Sequence, residues 1–196
     1  MAGRFGAEMG ESFVSDFLAV AADEAMHFAL LSRYLRESGS HYGALPAHGG
    51  LWSAAHDTRH DVAARLAVVP MVLEARGLDA TPATLERVRA MGDVRGARIL
   101  ERILDDEIRH VRYGANHFVD VAKRLNADHD ELWKLLVFRH FRGGLKPPFN
   151  DSARFAAGLS RELYLGVARV NNDSISHNSR DGGGFRPSPT NRIERV

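Results

Sequence analysis

Two short stretches decide how this sequence is read: Asp23-Glu24-Ala25-Met26-His27 and Asp106-Glu107-Ile108-Arg109-His110. Both spell D-E-x-x-H. In a helix a three-residue step turns about 300°, so the Glu and His of each stretch project from one face. The chain has 14 Asp, 11 Glu and 10 His among its 196 residues. On that composition D-E-x-x-H is expected by chance roughly 0.04 times, so two copies are hard to ascribe to accident.

The flanking residues say that both stretches are helical. Phe13, Phe17, Val20, Phe28, Leu31 and Leu35 recur at steps of three and four, predicting a helix over 13–35 with Ser12 as cap and Gly39 as stop. Glu24 falls where a core residue should sit. Leu100, Ile103, Leu104, Val111, Phe118 and Val121 place Glu107 in the same way on a long helix over 93–125. An ionised carboxylate on a buried face is costly unless it is paired or binds a metal. The alternative is that both glutamates are solvated and both histidines are satisfied in the core.

Between these helices the spacing predicts one over 51–76, with an apolar row at Val62, Leu66, Val69 and Leu73. A row of small residues, Ala63, Ala67 and Pro70, leads to Glu74. Pro70 should kink or locally open this helix, and Gly77 should stop it. Thr81-Pro82 reads as the cap and first residue of a short helix to about 91. Further helices are expected over 130–141 and 151–170, and no strand pattern is found. The fold class is all-α. Residues 1–170 read as the helical domain and 171–196, rich in Asn, Ser, Gly, Pro and Arg, as a disordered tail.

Composition narrows the chemistry. The chain has no Cys, which excludes disulfides, Cys-ligated zinc, iron–sulfur clusters and a thiol nucleophile. Any metal must be held by imidazole and carboxylate, a set that suits iron, manganese or zinc. A net charge of +1 argues against a strongly basic nucleic-acid binder, leaving an RNA-associated module as a third-ranked reading. The longest apolar stretch, 17–22, is far short of the ~20 residues of a membrane span, and no signal peptide is visible, so a soluble cytoplasmic protein is expected.

Di-metal four-helix bundles take one E-x-x-H from each of two helices and one Glu from each of the other two. Here Glu24, His27, Glu107 and His110 supply the paired motifs, and Glu74 is a candidate third carboxylate. A surface carboxylate near a helix end is the alternative for Glu74. A metal-bound imidazole usually donates its other N–H to a carboxylate. Crossed pairing is therefore expected, with Asp23 holding His110 and Asp106 holding His27. His56 and His60 have a spacing that can bind zinc but lack a third ligand and read as a solvated face. His117 lies two turns beyond His110, where it lines a channel or, more simply, packs.

The D-E-x-x-H of the first helix, Tyr42-Gly-Ala-Leu-Pro-Ala-His-Gly-Gly-Leu-Trp52, the stretch Ala64-Arg-Leu-Ala-Val-Val-Pro-Met-Val-Leu-Glu-Ala-Arg-Gly-Leu-Asp79 and Asp105-Asp-Glu-Ile-Arg-His110 resemble a ferritin-like family catalogued as a domain of unknown function. The resemblance spans roughly 5–158. More distantly the sequence is similar to di-iron tRNA hydroxylases and rubrerythrin-like proteins. The resemblance implies a ferritin-like bundle with Glu24, His27, Glu74, Glu107 and His110 as ligands of two metal ions, iron or iron with manganese. By analogy it implies an oxidase or hydroxylase that activates oxygen or peroxide, acting on a small or RNA-borne substrate. A non-catalytic metal-binding or structural protein with an incomplete site is the alternative.

Family members carry an earlier helix that supplies the first Glu. Glu74 lies 33 residues before Glu107, and the same offset from Glu24 falls before Met1. The expectation is thus a bundle short of its first helix, or a chain whose start lies upstream. The open apolar surface would favour a homo-oligomer. Glu131 or Glu162 would be substitutes for the sixth ligand, whereas Glu8 and Glu11 sit among glycines that argue against a long helix.

Overall fold

The computed structural model describes residues 1–141 and 143–168. Among them every regular element is helical, consistent with the all-α class. The tail expected over 171–196 lies outside the described residues. No helix among them is long and apolar enough to cross a membrane.

α1 (Ala2–Met9) is short, as its glycines suggest, and buries Phe5 and Met9 against α2 (Glu11–Glu37). Gly10, and not Ser12, stands at the N-cap of α2, because the chain turns from α1 into α2 at that glycine. The other end is as expected. Gly39 has φ 79°, its N–H bonds to Arg36 O and that of Ser40 to Leu35 O, the paired bonds of a Schellman stop.

The helix expected over 51–76 is two helices, α3 (Gly50–Asp57) and α4 (Val62–Val68). Asp61 divides them: its side chain accepts from Ala64 N at 3.0 Å and restarts the helix as an N-cap. α4 then widens into a π-helical segment, Val69–Glu74, at the position where Pro70 was expected to open it. Trp133 Nε1 donates to Ala67 O at 3.2 Å where the register changes. Gly114 of the facing helix makes room for the proline, since a Cβ there would lie 2.4 Å from the Pro70 ring.

Neither Gly77 nor Thr81-Pro82 marks a boundary. α5 runs from Ala75 to Ala90 with Pro82 inside it. Proline removes the donor that would bond Leu78 O. Asn150 Nδ2 donates to that carbonyl instead, at 3.1 Å. α6 (Val94–Arg124) is the central helix and packs against α2, α4, the π segment, α5, α7 (His129–His140) and α8 (Asp151–Ala156). Asp93 caps it, accepting from Gly96 N at 2.8 Å. The helix expected over 151–170 is broken. Gly158 at φ 83° ends α8, and Ser160 accepts from Leu163 N to start α9 (161–168).

The core gathers Phe13, Leu66, Leu78, Phe118, Trp133 and Tyr164 around α6. Several large apolar side chains stay open to solvent. Leu18, Phe28, Leu31, Tyr42, Leu45, Leu51 and Trp52 are exposed. Phe28 and Leu31 were expected in the core. The buried stripe of α2 runs instead through Phe13, Phe17, Val20 and His27, and the helices packed on α2 are α1 and α6.

Candidate metal centre

The two D-E-x-x-H stretches meet where α2 crosses α6. His27 and His110 are buried, with ring centroids 5.9 Å apart. His27 Nε2 lies 3.1 Å from Asp106 Oδ2, and His110 Nε2 lies 3.1 Å from Asp23 Oδ2. The crossed arrangement is thus present. A carboxylate only accepts, so each Nε2–H donates outward and each Nδ1 points inward, where it offers a lone pair when the ring is neutral.

Arg109 Nη2 donates to Asp23 Oδ2 at 2.7 Å and to Asp106 Oδ1 at 2.9 Å, tying the two aspartates together. Arg102 Nε adds a bond to Asp106 Oδ2 at 2.7 Å. Burial alone would raise both aspartates. The bonds from Arg109 and His110 at Asp23, and from Arg102 and His27 at Asp106, outweigh it and hold both below the usual carboxylate range.

Inside the cluster the polar groups are left over. Glu24 Oε1 lies 3.3 Å from both Nδ1 atoms, and Glu107 Oε2 lies 3.7 Å from that of His110. Even so, His27 Nδ1, His110 Nδ1, Glu74 Oε2 and Glu107 Oε2 are buried without a hydrogen-bond partner. Four orphaned atoms in one place need an explanation, because an unsatisfied buried polar group costs about 1–3 kcal/mol. Once deprotonated, all four are lone-pair donors of the kind a cation takes. Glu24, His27 and Glu107 offer ligand atoms within 4.8 Å of one another and could hold a metal ion.

The electrostatics agree. Burial pushes Glu74 up to about 7, with Glu107 adding to the rise. Burial would lower His110, but the carboxylates of Glu107, Glu24 and Asp23 outweigh it and carry the group up to about 10. Glu24 is lowered by its contact with His110. The cluster draws in positive charge, as protons or as a cation.

Glu74 ends the π segment with Oε2 buried, so it is not the surface carboxylate that a helix end would allow. Glu24, expected in the core, has a side chain 52% exposed. Glu131 is exposed and pairs with Lys134, and Glu162 is exposed; neither reaches the cluster. Glu8 and Glu11 are exposed too. His56 and His60 lie outside the site, on α3 and in the turn after it. His117 packs against Phe13 and Phe17, with Nε2 2.7 Å from Asp16 Oδ2. The reading along the chain missed Arg102 and Arg109. Arg109 was visible inside the second motif, but its bridge to Asp23 spans 86 positions.

Fold and cluster together define an all-helical protein with a carboxylate–imidazole centre able to hold a metal ion. The chain belongs to the family described as "Protein of unknown function (DUF455)", whose model matches residues 1–165. It is 40% identical over 156 residues to an uncharacterized protein of Haemophilus influenzae, covering 79% of this chain and 54% of that protein. The chain therefore spans about half the length of the curated relative it matches. No solved structure matches it.

Proposed function

We propose that this chain is a ferritin-like di-metal carboxylate protein, an oxidase or hydroxylase directed at oxygen or peroxide. Glu24, His27, Glu74, Glu107 and His110 would hold two ions, iron or iron with manganese. The reading rests on one observation above the others. Four buried ligand atoms lack partners between α2, the π segment and α6, while the outer nitrogens of both histidines are engaged by Asp106 and Asp23. Bound ions of this kind supply Lewis acidity and one-electron redox chemistry. The chain's own part is to hold both imidazoles with Nδ1 inward, to fix the aspartates through Arg109, and to offer exposed Glu24 toward solvent.

A specific observation favours a second reading, a non-catalytic single-metal protein. Among the described residues, Glu24, His27 and Glu107 are the group that brings ligand atoms within 4.8 Å of one another. Metal analysis of protein purified from iron- and manganese-supplemented cells separates the two. Two ions per chain, lost in Glu24→Ala and Glu107→Ala, are expected. One ion per chain without oxygen consumption selects the second reading. A folded helical protein that takes up no metal overturns both.

A further inference from the structure

A second polar site lies away from the carboxylate cluster, and none of the cluster's residues lines it. A cleft of about 230 Å³ opens between α5 and the segment joining α7 to α8, with Arg76, Asp79, Lys146, Phe149 and Arg154 in its wall. Arg154 is 1% exposed. Its Nε and Nη2 donate to the two oxygens of Asp79 at 2.9 and 2.6 Å. Its guanidinium lies over the rings of Phe149 and Tyr164, at 4.9 and 4.7 Å. Its Nη1 is buried without a hydrogen-bond partner. A guanidinium fixed on one edge and between two rings cannot swing its remaining donors elsewhere.

The charge around it is unbalanced. Asp79 already accepts from Arg154 and from Asn150 N. Arg76 and Lys146 form no hydrogen bond or ion pair among the described residues. Among the described residues that line this cleft, three cations thus face one committed carboxylate. A larger cleft, about 600 Å³, shares Arg76, Phe141 and Gly143 with the first; Leu51, Ala54, Leu73 and Ala80 give it apolar walls, and His48, Asp57 and His140 also line it. An apolar chamber with a few convergent polar groups at one end is the usual form of a small-molecule site.

We infer that these joined clefts bind a small amphipathic anion. Its oxyanion head, phosphate or carboxylate, sits at Arg76, Lys146 and Arg154, and its apolar body lies along Leu51, Leu73 and Phe141. Charge-assisted bonds to the head supply orientation, and the body supplies most of the buried area. This site stands independently of the metal reading.

Calorimetric titration of the full chain with octyl phosphate, octanoate, inorganic phosphate and octyl glucoside tests it at fixed ionic strength. Saturable binding of at least one octyl anion is expected, and the stronger of the two assigns the head group. Inorganic phosphate should bind at least tenfold more weakly, and octyl glucoside should not saturate. Arg76→Gln and Lys146→Gln change exposed side chains and should leave the helical spectrum intact while weakening the octyl anion at least tenfold. Arg154→Lys should weaken it as well. Glu24→Ala should leave binding unchanged, which separates this site from the metal centre. The inference is overturned if neither octyl anion saturates, if the glucoside binds equally well, if folded Arg76→Gln and Lys146→Gln bind as the parent does, or if Glu24→Ala abolishes binding.

Discussion

Each imidazole at the centre is held from outside by a carboxylate contributed by the other helix. Because the aspartates fix tautomer and ring orientation, Asp23→Ala should weaken metal binding about 10–100-fold through His110 while every proposed ligand remains. Competition with a coloured chelator measures this, and undiminished affinity would remove Asp23 from the role. Glu74 should contribute to the pH response of chelator-treated protein. Its folded pKa, about 7, lies above the ordinary 4.5, so the folded chain holds a proton that the unfolded chain gives up. Stability from this group is therefore lost as pH rises from 4.5 to about 7. His110 acts in the same direction later, contributing fully below 6.5 and losing its contribution as pH rises through about 10. Urea denaturation between pH 4.5 and 8 in chelator should show wild type losing stability relative to Glu74→Gln as pH rises. Equal slopes would show that Glu74 does not carry that proton. The motif residues were legible because a helix fixes the spacing of Glu and His. Arg102 and Arg109 were not singled out, because an arginine on a helix face is usually solvated.

At the scale of elements, the middle of the chain departs most from expectation, and each departure has a local cause. Asp61 restarts a helix where a solvated polar run was expected. Pro82 continues one because Asn150, 72 positions from the carbonyl it satisfies, takes over the lost bond. Pro70 opens α4 as expected, but only the facing helix shows what accommodates it. Gly114→Ala gains up to about 1 kcal/mol of helix propensity yet drives a methyl onto a rigid ring 2.4 Å away. Overpacking of this kind costs about 1–3 kcal/mol, so net destabilisation is expected in urea unfolding. A Gly114→Ala protein as stable as its parent would show that Pro70 can retreat. Moving Pro70 shifts the segment that carries Glu74, so the same variant should also bind metal more weakly.

For the molecule as a whole, α6 ties the layers together, and the proposed centre is its link to α2. A cation bound there holds the folded state only, and at a free concentration 100 times its dissociation constant it adds about 2.7 kcal/mol. Thermal melts with Mn(II) should rise by several degrees for the parent and by none for Glu107→Ala. An equal rise in both would place the ion elsewhere. The sequence by itself determined that the chain is helical, where the two D-E-x-x-H turns lie, and which chemistry an absence of cysteine permits. Those features depend on spacing within one helix and on composition, and both are complete in the sequence. Only the tertiary structure decided that Glu24 faces solvent, that Glu74 Oε2 is buried, that Pro82 lies inside a helix, and that Arg154 closes on Asp79. Each of these rests on which distant segment covers a side chain or answers a freed backbone group, and burial and hydrogen bonding between such segments exist only once the helices have packed.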